Sequence, residues 1–356
     1  LIPEGNFADD SALQSHQRRK AFCEALDGAA QPANGDGVRL NYVSYGKNMG
    51  FGRRTASYPS MQQCPSSLRP SLVGGFGDGG GEHDIDMVNC HPTLMLRVAT
   101  RFPGVTSADL PTLAELVSNR NVVLDRIAKH YSTSRSNAKV CVLRVMNGGT
   151  VQQWIKDVNC AINRDSVQDD LRNLIEEMVT VRKSFFEFPE LKELVVELRK
   201  RIKIDRDEAA RVARARASSV PLAKRREAVL QAEKAEAKAN ARAVDRSVFS
   251  FALGEVEDKI LNEIERYMTR QGWTISSRIY DGLHVRHRTE LGNQHNERLE
   301  KDMKDAEKSV REQLGYGIQL LEKALFGDYI DSELDAMMNV AEMIELPAGE
   351  ESDTDY

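Results

Sequence analysis

The chain has 356 residues, with 49 Lys and Arg against 54 Asp and Glu, and 41% of its residues are hydrophobic. That length gives about two domains' worth of core, and the net charge of -5 excludes a chain that is basic throughout, so any nucleic-acid site must be a local surface. The aromatic content of 6% favours a helix-rich protein over an all-β one. Five cysteines, Cys23, Cys64, Cys90, Cys141 and Cys160, form no CxxC pair and read as reduced thiols, which implies an intracellular protein. No apolar run reaches the roughly 18–20 residues of a membrane span. The start at Leu1, without a basic-then-apolar leader, reads as a mature or excised piece.

In chain order, residues 1–82 are rich in Gly, Pro, Ser and Arg and in turn signals. The stretch GGFGDGGGE (74–82) lacks the Gly-Lys-Ser/Thr ending of a phosphate loop and reads as a turn before a strand. In HDIDMVNCHPTLMLRVATRF (83–102), Asp84 and Asp86 alternate with Ile85 and Met87, which predicts a strand; Pro92 then suits the first turn of a helix. From about 106 to 200 apolar residues recur at helical spacing, as in LAELVSNRNVVLDRIAKHY and VQDDLRNLIEEMVTVRKSFFEF. Residues 199–246 carry about 15 basic and 7 acidic side chains and read as a long helix pair broken near Pro221, with a basic surface able to follow phosphates. FALGEVEDKILNEIERYMTRQ (251–271) predicts an amphipathic helix. WTISSRIYDGLHVRHR (273–288) predicts two strands turning at Asp281-Gly282. A charged helix over about 295–314, a strand in GIQLLEKAL (317–325) and an acidic, disordered tail complete the chain.

Asp86, at a strand end before a helix, and Asp281, at a hairpin turn, stand out. Two-metal phosphoryl transfer needs carboxylates from separate strands brought together, and these two residues can meet on adjacent strands. Each also has an ordinary explanation, as a helix cap or a turn residue. The remaining histidines, His16, His83, His130, His284, His287 and His295, show no zinc-ligand spacing.

Two further segments turn these residues into a pattern. In FGRRTASYPSMQQCP (51–65), Gly52, Arg53, Pro59, Gln62 and Pro65 fall in register with the TGRLSSxxPNLQNIP pattern of family A DNA polymerases, and Arg69 follows. RSNAKVCVLRVMNGG (135–149) has Arg135 four residues before Lys139, then Asn147-Gly148. It is similar to the fingers helix of family A and of single-subunit phage RNA polymerases, except that Asn147 replaces an aromatic. IYDGLHV (279–285) resembles the family's Asp-bearing hairpin, with Tyr280 and Gly282 in place of the usual neighbours. The chain resembles most the divergent transposon- and virus-associated branch of family A.

The resemblance implies an α+β right-hand polymerase, a palm of antiparallel sheet and helices with a helical fingers insertion. Its expected divisions are an N-terminal region at 1–50 that could be a minimal thumb, palm at 51–104, fingers and basic insertion at 105–249, palm at 250–345 and tail at 346–356. It implies two Mg2+ ions, or Mn2+, held by Asp86 and Asp281, with Asp84 as the alternative ligand. Arg135 and Lys139 would grip the incoming triphosphate, with Asn147 and Gly148 beside the nascent pair. His91 would act as a gate against the 2′-hydroxyl, or cap its helix. Arg53, Gln62, Arg69 and Tyr280 would contact primer–template DNA, though Tyr280 packing beside the turn is an equal reading. The implied partners are primer–template DNA, dNTPs and replication proteins, with no membrane. No Asp-x-Glu exonuclease segment is evident. An RNA polymerase or primase on the same fold, and a non-catalytic nucleic-acid-binding helical protein, remain open alternatives.

Overall fold

The alternation of Asp84 and Asp86 with Ile85 and Met87 becomes a strand in the computed structural model. That structure describes residues 10–27, 42–44, 54–56, 60–62, 64, 68, 82–158, 166–219, 226–227, 229–233, 240–286 and 295–323. Arg53, Arg69, the glycine-rich lead-in at 74–81 and the acidic tail lie outside the described residues. A short antiparallel pair, β1 (Tyr42–Ser44) and β2 (Arg54–Ala56), follows helix α1 (Asp10–Asp27). The main sheet is built from β3 (Glu82–Met87), β4 (Thr274–Ile279), β5 (Gly282–Arg286) and β6 (Leu320–Lys323). Its order is β4-β5-β3-β6, antiparallel throughout.

Period-two alternation divides that sheet into two unlike faces. Ile85, Met87, Leu283 and Val285 are buried in the hydrophobic core. Asp84, Asp86, Gly282 and His284 belong to the opposite face, because β3 and β5 pair Asp84 with His284 and Asp86 with Gly282. The hairpin between β4 and β5 turns through Tyr280 and Asp281, one residue earlier than the Asp-Gly pair predicts, because Ile279 pairs with Gly282. Tyr280 accordingly takes the left-handed conformation, at φ 50°. A bulky residue there is strained by about 1–2 kcal/mol. Its hydroxyl donates to the Gln62 carbonyl oxygen at 2.8 Å, which ties the hairpin tip to the segment beside β2.

The helical part begins with α2 (Cys90–Thr100), in which Pro92 sits in the first turn, followed by α3 (Pro111–Ser118), α4 (Arg120–Tyr131), α5 (Arg135–Met146) and α6 (Val151–Asp157). Helix α3 lacks a capping side chain of its own. The buried Glu177 of α7 (Asp169–Glu187) replaces it, accepting from the Thr112 and Leu113 amides at 2.8 Å each. An anion there satisfies orphan N–H groups and complements the helix dipole. The basic stretch falls in α8 (Pro189–Ser219) and the start of α9 (Ala241–Arg270), and the expected break at Pro221 lies outside the described residues. Helix α10 (His295–Leu314) precedes β6.

Helix α9, 30 residues and so about 45 Å long, contacts α2, α7, α8, α10, β4 and β5. The expected boundary at 249/250 falls inside it. One hydrophobic core runs from Ile85 to Leu320 and takes in the sheet and the helices between. Among the described residues, the sheet and the helices between its strands therefore share one interior. No helix among them is long and apolar enough to cross a membrane.

Candidate active site

The polar face of the sheet opens on a cavity of about 540 Å³. From the sheet it is lined by Asp86, Tyr280, Asp281, Leu321 and Lys323. From the helices it is lined by His91, Leu116, Arg120, Leu124, Lys139, Val142, Leu143 and Met146, among others. Asp86 and Asp281 thus meet at one end of two adjacent strands, and the Met87 amide donates to the Asp281 carbonyl oxygen at 3.1 Å. Gly282 is required between them. A Cβ there would lie 2.5 Å from the Ile85 carbonyl oxygen and 2.9 Å from Asp86 Oδ1.

The electrostatics follow from crowding like charges in a partly dry place. Burial, and then the nearby Asp281 charge, push the Asp86 carboxyl up to about 6, although Lys323 opposes the shift. The Lys323 ammonium is in direct contact with Asp86. Burial pulls that ammonium down, but its contact with Asp86 and the charges of Asp86, Asp84 and Asp281 raise it overall. Lys139 is lowered, first by burial and then by Arg120 and Lys323. Arg120 is lowered by burial, with Asp281 partly offsetting the effect.

Several sequence-marked residues do come together here: Asp86, Asp281, Lys139, His91 and Tyr280 all line the cavity. His91 reaches α9, where its Nε2 lies 3.0 Å from the fully buried Glu257 carboxylate. Asp84 stands one register pair away from the cavity, facing His284, whose Nε2 is 3.7 Å from Asp84 Oδ1.

Others are not at the cavity. Arg135 forms a two-pronged ion pair with Asp125, at 2.8 and 2.9 Å, and is half exposed. As the first residue of α5, it leans past the helix end onto α4, because helical side chains tilt toward the N-terminus. Asn147 ends α5, its amide donating to the Leu143 carbonyl oxygen at 2.9 Å. Gly148, at φ 81°, is packed beneath Arg246 and Arg182. Gln62 is buried rather than open to DNA. Its Oε1 accepts from the Ala56 amide at 2.9 Å and its Nε2 donates to the Arg54 carbonyl oxygen at 3.2 Å, so it braces β2.

The sequence reading missed three residues. Arg120, at the start of α4, donates to Asn89 Oδ1 at 3.0 Å, and Asn89 Nδ2 donates to the Val117 carbonyl oxygen at 3.2 Å. Asn89 does this from the left-handed conformation, at φ 48°, where Asn is enriched. A lone asparagine just before a proline-bearing helix is the signal that could have found it. Lys323 is reached only through the strand order, which pairs it with Asp84.

Asp86 and Asp281 offer hard oxygen donors of the kind Mg2+ and Mn2+ take. Burial of Asp86 beside Asp281, with one ammonium drawn onto it, makes an oxygen donor set of the chemistry that a divalent metal fits. Among the described residues, no group of three or more His, Cys, Asp and Glu is arranged to cage a metal. Such an ion would rest on two carboxylates plus backbone, water or ligand oxygens.

The fold these residues build is mostly helical around one small four-stranded antiparallel sheet, and it is similar to the fold of a polymerase domain. A solved structure similar to this chain is the POL domain of Pol1 from M. smegmatis, in complex with DNA primer-template and dNTP. The TM-score is 0.51 and the identity 13% over 89% of this chain, which spans 56% of that chain's length. At that identity the likeness concerns the fold. No protein-family model and no curated protein matches the sequence.

Proposed function

We propose that the chain is the core of a template-directed nucleotidyltransferase, a DNA-directed DNA polymerase that adds dNTPs to a primer 3′ end. One observation carries the reading. Two carboxylates, Asp86 on β3 and Asp281 in the β4–β5 turn, share a cavity with two cations from neighbouring helices, Arg120 and Lys139. The fold likeness to a polymerase domain supports it. In this reading the main sheet with α2, α9 and α10 is the palm, and α3 to α6 are the fingers.

Asp86 and Asp281 would hold the metal. When bound, Mg2+ supplies Lewis-acid activation of the attacking hydroxyl and neutralises the leaving group. The chain's own residues do the positioning. Lys139 offers a point charge and Arg120 a planar fork to a triphosphate. Asn89 fixes the Arg120 guanidinium, so little order is lost when the phosphates arrive. The primer hydroxyl then attacks the α-phosphate in line, and pyrophosphate leaves on the Arg120–Lys139 side. His91, anchored by Glu257, stands as a bulky group that would meet a 2′-hydroxyl.

Primer extension with Mg2+ tests the reading. Asp86→Asn and Asp281→Asn are each expected to lower the rate by about 10³-fold or more with the fold retained by circular dichroism. Unchanged extension in both variants, or none by the wild type with Mg2+ or Mn2+, would refute an enzyme of this kind. Offering rNTPs in parallel with dNTPs separates the RNA polymerase alternative. His91→Ala is expected to raise ribonucleotide incorporation if the ring acts on the sugar.

A further inference from the structure

We infer that Lys323 is a resident counter-cation of the Asp86–Asp281 pair, which a divalent metal must displace, so that Lys323 sets how tightly the site holds metal. The inference rests on the reading of those two aspartates as metal ligands.

Strand register places Lys323 there. On β6, Leu321 pairs with Asp86 and Lys323 with Asp84, so both β6 side chains share the carboxylate face. Lys323 nevertheless passes over its direct neighbour Asp84 and makes its contact with Asp86. Asp84 faces His284 instead, which leaves Asp86 as the acid with room for an ammonium. Three cations, Arg120, Lys139 and Lys323, thus share the cavity with two carboxylates, Asp86 and Asp281.

That arrangement has a consequence for any added ion. An ammonium and a divalent cation on one carboxylate repel each other strongly at contact distance. Lys323 is built to give way. Its stem is flexible, its side chain is 44% exposed, and among the described residues β6 is the edge strand of the sheet. Arg120 is held differently, by its bond to Asn89. Each metal-binding event therefore includes the rupture of one charge-assisted contact, and affinity is lower than the two aspartates alone would give.

The test is a titration of Mn2+ followed by calorimetry or electron paramagnetic resonance, on the whole chain without DNA or nucleotide. Lys323→Met is expected to bind Mn2+ about three- to tenfold more tightly than the wild type. Lys323→Arg, which keeps the charge, is expected to stay within about twofold of it. A second readout separates competition from a plain structural ion pair. The melting temperature of Lys323→Met should fall in EDTA and recover the wild-type value with saturating Mn2+. Equal loss in both conditions would overturn the inference, as would unchanged or weaker Mn2+ binding. Should the Met variant not fold, Lys323→Gln carries the same expectations. If Asp86→Asn abolishes Mn2+ uptake while Lys323→Met leaves it untouched, the inference falls and the metal reading stands. If the wild type takes up no Mn2+, both fall.

Discussion

The two flanks of the cavity hold their polar residues by different means. On one side, five consecutive register pairs between β3 and β5 lock Asp86 beside the hairpin that carries Asp281. On the other, α5 presents Lys139 to the cavity while Arg135, one turn earlier, turns away to Asp125. A ladder fixes each residue against its neighbour through the backbone, so a side chain has little freedom to leave its face. A helix fixes only the azimuth, and a long side chain in the first turn can lean off the end. The rigid flank carries the carboxylates, whose spacing must be fixed if they are to share an ion. The helical flank carries Lys139 and Arg120, and there the order of Arg120 comes from its bond to Asn89 rather than from a backbone ladder.

If the ladder is what fixes the carboxylates, disturbing it without touching a charge should be severe. Gly282→Ala adds one methyl group, which would lie 2.5 Å from the Ile85 carbonyl oxygen and 2.9 Å from Asp86 Oδ1. The nearer neighbour is backbone and cannot rotate away, so β3 and β5 must part. A stability loss of about 1–3 kcal/mol by urea denaturation is expected, together with a fall in primer extension of about 100-fold. Normal activity in this variant would show that the carboxylates tolerate movement.

The same flank stores electrostatic strain that pH can release. Asp86 is held near 6 against an ordinary value of 3.8, by burial and then by Asp281. Its folded value is raised, so the native state keeps a proton that the unfolded chain gives up. Its contribution to stability therefore falls as pH rises between about 4 and about 6, by about 2–3 kcal/mol at most. Asp86→Asn removes that slope. In EDTA, the stability difference between variant and wild type should open in the variant's favour across this window and stay level above it. A difference that is flat with pH would mean that Asp86 is already neutralised by Lys323.

On the helical flank, the cavity predicts which cations matter. Arg120→Ala and Lys139→Ala are each expected to raise the KM for dNTP about tenfold or more, since each removes a charge-assisted contact to phosphate. Arg120→Lys should recover only part of the loss, because the bond to Asn89 uses guanidinium geometry. A variant pair that left KM unchanged would move the triphosphate elsewhere in the cavity.

How far these features were legible in the sequence follows the same division. The strand from Asp84 to Met87, the hairpin at 280–282 and the helix at 295–314 could be read from local periodicity and turn chemistry. Asp86 could be picked as a strand-end residue before a helix, and Asp281 as a hairpin-turn residue. Gln62 misled because its place in a motif resembles a DNA contact, while its amide satisfies the backbone of β2. Arg120 and Lys323 were not legible. One depends on how α4 packs against α2 and α3, the other on β6 joining the sheet beside β3, and both are long-range facts without local periodicity. Helix α1 lay hidden in a stretch whose glycines and prolines flank it rather than interrupt it.

Arg135 gives the sharpest contrast with the ladder, and the smallest expected effect. The family resemblance implies the same role for it as for Lys139. The structure instead pairs it with Asp125, with both side chains more than half exposed. Exposed pairs of this kind contribute about 0.2–1 kcal/mol. Arg135→Ala should therefore lower stability by less than about 1 kcal/mol and leave the KM for dNTP within about twofold of wild type. A tenfold rise in KM would require α5 to rotate on nucleotide binding, releasing Arg135 from Asp125 and turning it toward the cavity. Asp125→Ala distinguishes the two cases. It should leave KM unchanged if α5 stays as it is, and lower KM if Asp125 holds Arg135 back, because the guanidinium would then reach the phosphates without first breaking an ion pair.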